Sequence, residues 1–165
     1  QADRLILPGV GAFEDAAKKL RESGLDRVIR NEVKKGKPLL GICLGMQLLF
    51  EKSYEYGEHE GLGLIKGSVK PIRPVIGDSL KVPHIGWNAL QIARPHPIFR
   101  AVRPGDCVYF VHSYHAVDCE NSLVATAEYS KDITAIVQNG NVFGCQFHPE
   151  KSGDVGLNIL RAFCE

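Results

Sequence analysis

Apolar positions along the chain follow two different rhythms. Over the first third, short unbroken apolar runs alternate with helical spacing. Leu5, Ile6 and Leu7 form a run closed by Pro8-Gly9-Val10-Gly11, which reads as a short buried strand ending in a turn. Phe13, Ala16, Ala17 and Leu20 then recur at i, i+3, i+4 and i+7. With Glu14 and Asp15 in the first turn and Gly24 as the stop, this spacing predicts a helix. Leu25, Val28, Ile29 and Val33 carry helical spacing on to Gly36. Leu39-Leu40-Gly41-Ile42 predicts a second buried strand, and residues 46–52 a further helix. Strand, helix, strand, helix in that order calls for parallel pairing with helices packed on the sheet.

Beyond residue 80 the rhythm changes to short strands punctuated by turn residues, at 80–82, 107–111, 123–127 and 133–137. Asn139-Gly140, between Gln138 and Asn141, predicts a type I′ hairpin turn joining 136–137 to 142–143. Leu157, Leu160 and Phe163 predict a closing helix. The expected fold class is α/β, a three-layer sandwich around a central mixed, mostly parallel sheet. Nothing divides the chain into parts, so one domain over residues 1–165 is expected. Because the first apolar run begins at residue 5, an upstream segment is expected ahead of it.

Charge and composition narrow the class. Lys and Arg number 20 against 19 Asp and Glu, a net +1 that argues against a nucleic-acid partner. With 44% hydrophobic and 24% charged residues the chain reads as globular. Its longest apolar runs, 38–42 and 108–111, are far too short to span a membrane, so no membrane is expected as a partner. Five cysteines (43, 107, 119, 145 and 164) are scattered, with no C-x-x-C pair and no signal peptide ahead of them. Free thiols in a reducing, cytoplasmic setting are expected.

Candidate chemistry centres on Gly41-Ile42-Cys43-Leu44-Gly45, a G-x-C-x-G at a strand-to-helix junction. Flanking glycines permit the sharp turn of a nucleophile elbow, and a helix N-terminus behind the cysteine favours the thiolate. The Leu44 N–H points where an oxyanion would form. A buried structural cysteine is the competing reading. Gln146-Phe147-His148-Pro149-Glu150 supplies a base and its orienting carboxylate. Pro149 biases His148 toward extended backbone, where i and i+2 project to one side. A surface His-Pro turn beside a solvated Glu is the alternative there. Gly9, Val10 and Gly11 open the backbone of the first turn to a ligand, as a second oxyanion donor. Neither 9–14 nor 61–66 completes a G-x-G-x-x-G, there is no Walker-type loop, and His112 and His115 lack a further ligand at metal spacing. No cofactor and no metal are expected.

With these residues assembled, the chain resembles the class I (triad) glutamine amidotransferases. The P-G-x-G loop, G-x-C-x-G elbow and H-P-E segment match in identity and order over nearly the whole chain. Within that class it most resembles the glutaminase subunits of imidazole glycerol phosphate synthases. Three segments carry the narrower likeness: Pro83-His84-Ile85-Gly86-Trp87-Asn88, Tyr109-Phe110-Val111-His112-Ser113-Tyr114 and His148-Pro149-Glu150-Lys151-Ser152. The resemblance implies a Cys43-His148-Glu150 triad that hydrolyses glutamine, with oxyanion donors at Val10 and Leu44. It implies that Gln47 and Glu55 bind the substrate α-amino group, and that backbone at Ser113 and Tyr114 binds its carboxylate. It further implies a heterodimer with a (β/α)8 cyclase subunit that receives the ammonia in histidine biosynthesis, with Trp87, Asn88, Tyr109 and Lys151 at the interface. Members of the family begin with a strand and helix ahead of P-G-x-G, a unit this sequence lacks. Two other readings stay open: the glutaminase of another synthase, such as that of vitamin B6 or anthranilate, and a cysteine hydrolase of the same fold.

Overall fold

In a computed structural model that describes residues 2–165, Leu39 and Leu40 show how the molecule is layered. They are neighbours on one strand, both buried, and they project into separate clusters on opposite faces of one sheet. Such a strand has to be apolar throughout, which is why 39–42 reads as an unbroken run.

The chain order is β1 (Leu5–Leu7), α1 (Phe13–Ser23), α2 (Leu25–Lys34), β2 (Leu39–Ile42), α3 (Leu44–Gln47), β3 (Phe50–Ser53), β4 (His59–Glu60), β5 (Ile65–Pro71) and α4 (Arg73–Ile76). It continues with β6 (His84–Ile92), β7 (Cys107–His112), β8 (Tyr114–Val117), β9 (Leu123–Tyr129), β10 (Lys131–Asn139), β11 (Val142–Cys145) and α5 (Gly153–Cys164). Seven strands form the main sheet in the order β1-β2-β11-β10-β9-β6-β7, and four form a smaller one, β4-β3-β5-β8. On one face of the main sheet, Ile159 and Phe163 of α5 pack with Leu40, Leu90, Val108 and Phe110. On the other, Ile29 of α2 and Met46 of α3 meet Leu39 together with Ile65, Val69 and Ala116 of the small sheet. Phe13 and Ala17 of α1 close over Leu44 and Leu48. The layered, mixed α/β architecture is as expected from sequence.

Its details differ in four places. The main sheet is mixed but not mostly parallel: β1–β2 and β2–β11 are parallel, and the other four pairings are antiparallel. Helical crossovers occupy only the first part of the chain; of the later, antiparallel neighbours, β9–β10 and β10–β11 are joined by short turns and β6–β7 by residues 93–106. The helix expected at 46–52 stops at Gln47, and Phe50–Ser53 is a strand. A short apolar run suits either state, and pairing with β4 and β5 decides it. Residues 80–82 form no strand; the strand is His84–Ile92, where the apolar Ile85 and Trp87 face out and the polar His84 faces in. Finally, the β10–β11 hairpin turns on Gly140 and Asn141, of which only Gly140 takes positive φ. That is the II′ pattern rather than I′. Among the described residues no helix is long and apolar enough to cross a membrane.

Candidate active site

The geometry at Cys43 follows from where β2 must turn. The cysteine follows the last residue of the strand with φ 54° and ψ −112°, and α3 begins at the next residue. A β-carbon on Gly45 would overlap the carbonyl oxygen of Leu7 on β1, and one on Gly41 would sit 2.6 Å from the Gly45 carbonyl oxygen. Both glycines are therefore fixed by close backbone approach. The Cys43 N–H donates to Cys145 O on β11 at 2.8 Å, holding the strained residue against the sheet.

The free edge of β7 organises the remainder. The His148 N–H donates to Tyr109 O at 3.0 Å, and the Tyr109 N–H donates to Ser152 Oγ at 3.0 Å. The Ser152 hydroxyl closes the ring by donating to His148 O at 2.6 Å. Two residues further on, Val111 O accepts from Cys43 Sγ at 3.9 Å. One strand edge thus touches both the sulfur and the histidine turn. His148 Nδ1 lies 2.6 Å from Glu150 Oε1. An ionised carboxylate can only accept, which assigns the proton to Nδ1 and leaves Nε2 with a lone pair. His148 is extended as expected, but Pro149–Lys151 is a tight helical turn, so His148 and Glu150 meet through that turn and not through strand alternation.

A cavity of about 350 Å³ gathers Cys43, Leu44, Gln47, Glu55, Ser113, Tyr114 and His148 with Val10 and Gly11. Gly9 lies outside it, packed against Leu44 and lining a second cavity behind the loop. Gln47 and Glu55 are both buried. Gln47 Nε2 donates to Tyr114 O at 3.2 Å and to Gln146 Oε1 at 3.1 Å, which leaves Gln47 Oε1 as the acceptor of that amide. Burial raises the Glu55 carboxyl above its ordinary range, against the opposing pull of the Phe13 N–H and His59.

The cysteine itself departs from expectation. Burial pushes the Cys43 thiol up to about 11; the Leu44 N–H and the Lys151 charge pull it down, and Glu150 pushes it further up. A four-residue helix does not overcome desolvation, so the resting sulfur is a thiol and not a thiolate.

Trp87 and Tyr109 are directly paired across β6 and β7, their ring centroids 5.8 Å apart, with Trp87 56% exposed. Lys151 is exposed beside the histidine turn. Asn88 does not join them, because strand alternation turns it the other way. Its Oδ1 is 2.8 Å from His84 Nε2, and its Nδ2 donates to Glu128 O at 3.0 Å. His84 Nδ1 is in turn 2.9 Å from His112 Nε2, and His112 Nδ1 is 2.8 Å from Tyr114 O. Sequence reasoning singled out neither Gln146 nor Ser152 as site residues, nor the His84–His112 pair. A buried glutamine inside the Q-F-H-P-E segment was the available signal for the first.

The glutamine amidotransferase class-I family matches residues 1–165. Imidazole glycerol phosphate synthase subunit HisH of Oceanobacillus iheyensis is 53% identical over 100% of this chain and 81% of its own length. The protein of the same name from Wolinella succinogenes is 49% identical, over 99% of this chain and 80% of its own. Among solved structures, a glutamine amidotransferase superposes with TM-score 0.72 at 22% identity, covering 99% of this chain and 80% of that one. PurLQS from Thermotoga maritima superposes with TM-score 0.70 at 23% identity, covering 98% and 78%. At those identities the structural likeness speaks for the fold alone.

Proposed function

This chain belongs to the class-I glutamine amidotransferase family, and from that premise we propose that Cys43, His148 and Glu150 release ammonia from glutamine for the cyclase subunit of an imidazole glycerol phosphate synthase. The chain is the glutaminase subunit of that synthase. One observation carries the assignment of residues: Cys43 and His148 line the same cavity, while Glu150 holds the far nitrogen of the imidazole.

In this reading His148 Nε2 takes the proton from the Cys43 thiol as the sulfur attacks the side-chain amide carbon of glutamine. A thiol held at about 11 gives up its proton only to a base already in position, which is why the Glu150 contact matters. The imidazolium then protonates the departing nitrogen, ammonia leaves, and water activated by the same ring cleaves the thioester to glutamate. Negative charge on the carbonyl oxygen falls to the Leu44 and Val10 N–H groups. Loss of one such donor typically costs about 3 kcal/mol of barrier. Glutamine's ammonium would meet Gln47 Oε1 and Glu55, and its carboxylate the backbone at Ser113 and Tyr114.

The cyclase would dock on the outer face of β6 and β7, where Trp87, Tyr109 and Lys151 lie, and Ile85 adds exposed apolar area at 58%. Asn88 belongs to this interface only through the strand it sits on. A reducing cytoplasm suits the reading, since all five cysteines are unpaired. In the complex, Cys43→Ala is expected to remove glutamine-dependent synthesis by about a thousandfold or more while ammonia-dependent synthesis persists. Equal loss of both would assign Cys43 a structural role and reject the proposal.

A further inference from the structure

Gln146 places an amide in the fully buried core, 0% exposed, next to the sulfur. Its orientation follows from a group that admits no choice. Tyr114 O is a backbone carbonyl and can only accept, so the Gln47 atom 3.2 Å away is the nitrogen Nε2. That same nitrogen faces Gln146 at 3.1 Å, which makes the facing Gln146 atom the oxygen. Gln146 Nε2 is thereby turned toward Cys43 Sγ, 3.8 Å away. The sulfur's other polar neighbours divide by charge preference. Val111 O at 3.9 Å accepts from the thiol and repels a thiolate, whereas the Leu44 N–H favours the thiolate.

We infer that Gln146 is a catalytic residue of the reaction proposed above, donating a side-chain hydrogen bond that stabilises the Cys43 sulfur as its proton passes to His148. The inference rests on that reading of the site. When the S–H bond breaks, the contact to Val111 turns unfavourable and the contact to Gln146 strengthens, so the balance between the two sets how readily the sulfur ionises. The amide cannot rotate away, because Gln47 holds its oxygen. Gln47 in turn would have its Oε1 on the ammonium of glutamine. Substrate binding and sulfur ionisation are thus joined through two side-chain amides.

The test compares wild type with Gln146→Met, which keeps the volume and loses both the donor to the sulfur and the oxygen that holds Gln47, and with Gln146→Glu, which keeps an oxygen for Gln47 and places an acceptor beside the sulfur. Both are made in the complex with the cyclase subunit. Iodoacetamide alkylation at pH 8 is followed residue by residue by mass spectrometry, with the exposed Cys107 as internal standard. Gln146→Met is expected to slow Cys43 alkylation relative to Cys107 about tenfold and to lower kcat for glutamine about tenfold. KM should rise as well, since Gln47 loses the oxygen that holds it, and should stay nearly unchanged only in Gln146→Glu, which keeps an oxygen there. Gln146→Glu should slow alkylation at least as much. Ammonia-dependent synthesis should stay at the wild-type level. A Cys43 to Cys107 ratio equal to wild type overturns the inference. A variant that unfolds exposes Cys43 and speeds its alkylation, the opposite sign. In that event the wild-type complex decides: the Gln146 side-chain amide proton resonance should shift when Cys43 is alkylated, and one that does not move overturns the inference. Failure of the underlying reading looks different, since glutamine-dependent synthesis would then survive Cys43→Ala.

Discussion

A thiol near 11 that shares its cavity with a histidine is a nucleophile kept in reserve. At pH 7 only about one sulfur in ten thousand would be ionised without help, so an electrophile that brings no transition-state contacts should react slowly. Alkylation of Cys43 by iodoacetamide is accordingly expected to climb about tenfold per pH unit through pH 8 to 10; a Cys43 profile that saturates below pH 8 would refute the buried-thiol picture. The raised Glu55 carboxyl adds a second pH effect. In the proposed site the ammonium of glutamine meets the Glu55 carboxylate, so KM for glutamine should rise on acidification earlier than an ordinary glutamate would dictate. Glu55→Gln should raise KM at pH 7.5 by about tenfold and flatten that rise, as steady-state glutaminase assays of the complex would show. At this scale the sequence was most legible where chemistry and backbone coincide. Cys43 is announced by its two glycines and His148 by its Pro149 and Glu150. The ionisation state of Cys43 was not legible, because it depends on packing from β7 and β11, far away along the chain.

Elements divide in the same way. β2 was readable because it buries one continuous run and α1 because it buries a stripe through Phe13 and Ala17, whereas β1 and α2 were readable from apolar spacing alone, with Ile6, Leu25 and Val28 left exposed. β3 was taken for helix and β6 was missed, since neither shows its burial in its own composition. β6 puts apolar side chains outward and His84 inward, the reverse of a strand that faces only water. The small sheet was invisible for a related reason: two residues of β4 and four of β3 gain their identity from partners. The turn between β2 and α3 is the element on which most depends. Gly45→Ala would force its methyl into Leu7 O, and movement of β1 or α3 is the only relief. A loss of about 3 kcal/mol or more in urea unfolding is expected, with glutaminase activity lost in whatever protein remains folded. Stability within 0.5 kcal/mol of wild type would show that the approach of β1 is not obligatory.

Over the whole molecule, β7 lies at the sheet edge with the base turn on one side and the exposed Trp87–Tyr109 face on the other. Tyr109 uses its backbone for the histidine turn and its ring for the outer face, so a partner on that face lies one residue from the base. Trp87→Ala should weaken partner binding by about 2 kcal/mol, near thirtyfold in Kd by calorimetry. Lys151→Ala should lower the yield of ammonia transfer more than it raises KM for glutamine. The interior also sets an acid limit. Burial holds His84 and His115 below the ordinary imidazole range and His112 at about 3, so these rings stay neutral when folded. The unfolded chain takes up their protons below about pH 6.5, so stability should fall as pH drops from there, for His112 on toward 3. Each ring contributes up to about 1.4 kcal/mol per pH unit, measurable by urea titrations across that window. Replacing His112 with Gln should flatten the slope.

The same two rings, His84 and His112, hold a shortage that no repacking removes. Three gaps run in series, from Asn88 Oδ1 to His84, from His84 to His112, and from His112 to Tyr114 O, and each needs one hydrogen. Both outer gaps end on oxygens that supply none, and two uncharged imidazoles bring only two hydrogens between them. One gap is always empty. His84 therefore has two tautomers to choose from, one serving the strand that carries Trp87 and the other serving the carbonyl that anchors Gln47. Any contact that occupies Asn88 Oδ1 settles the choice in favour of the interior.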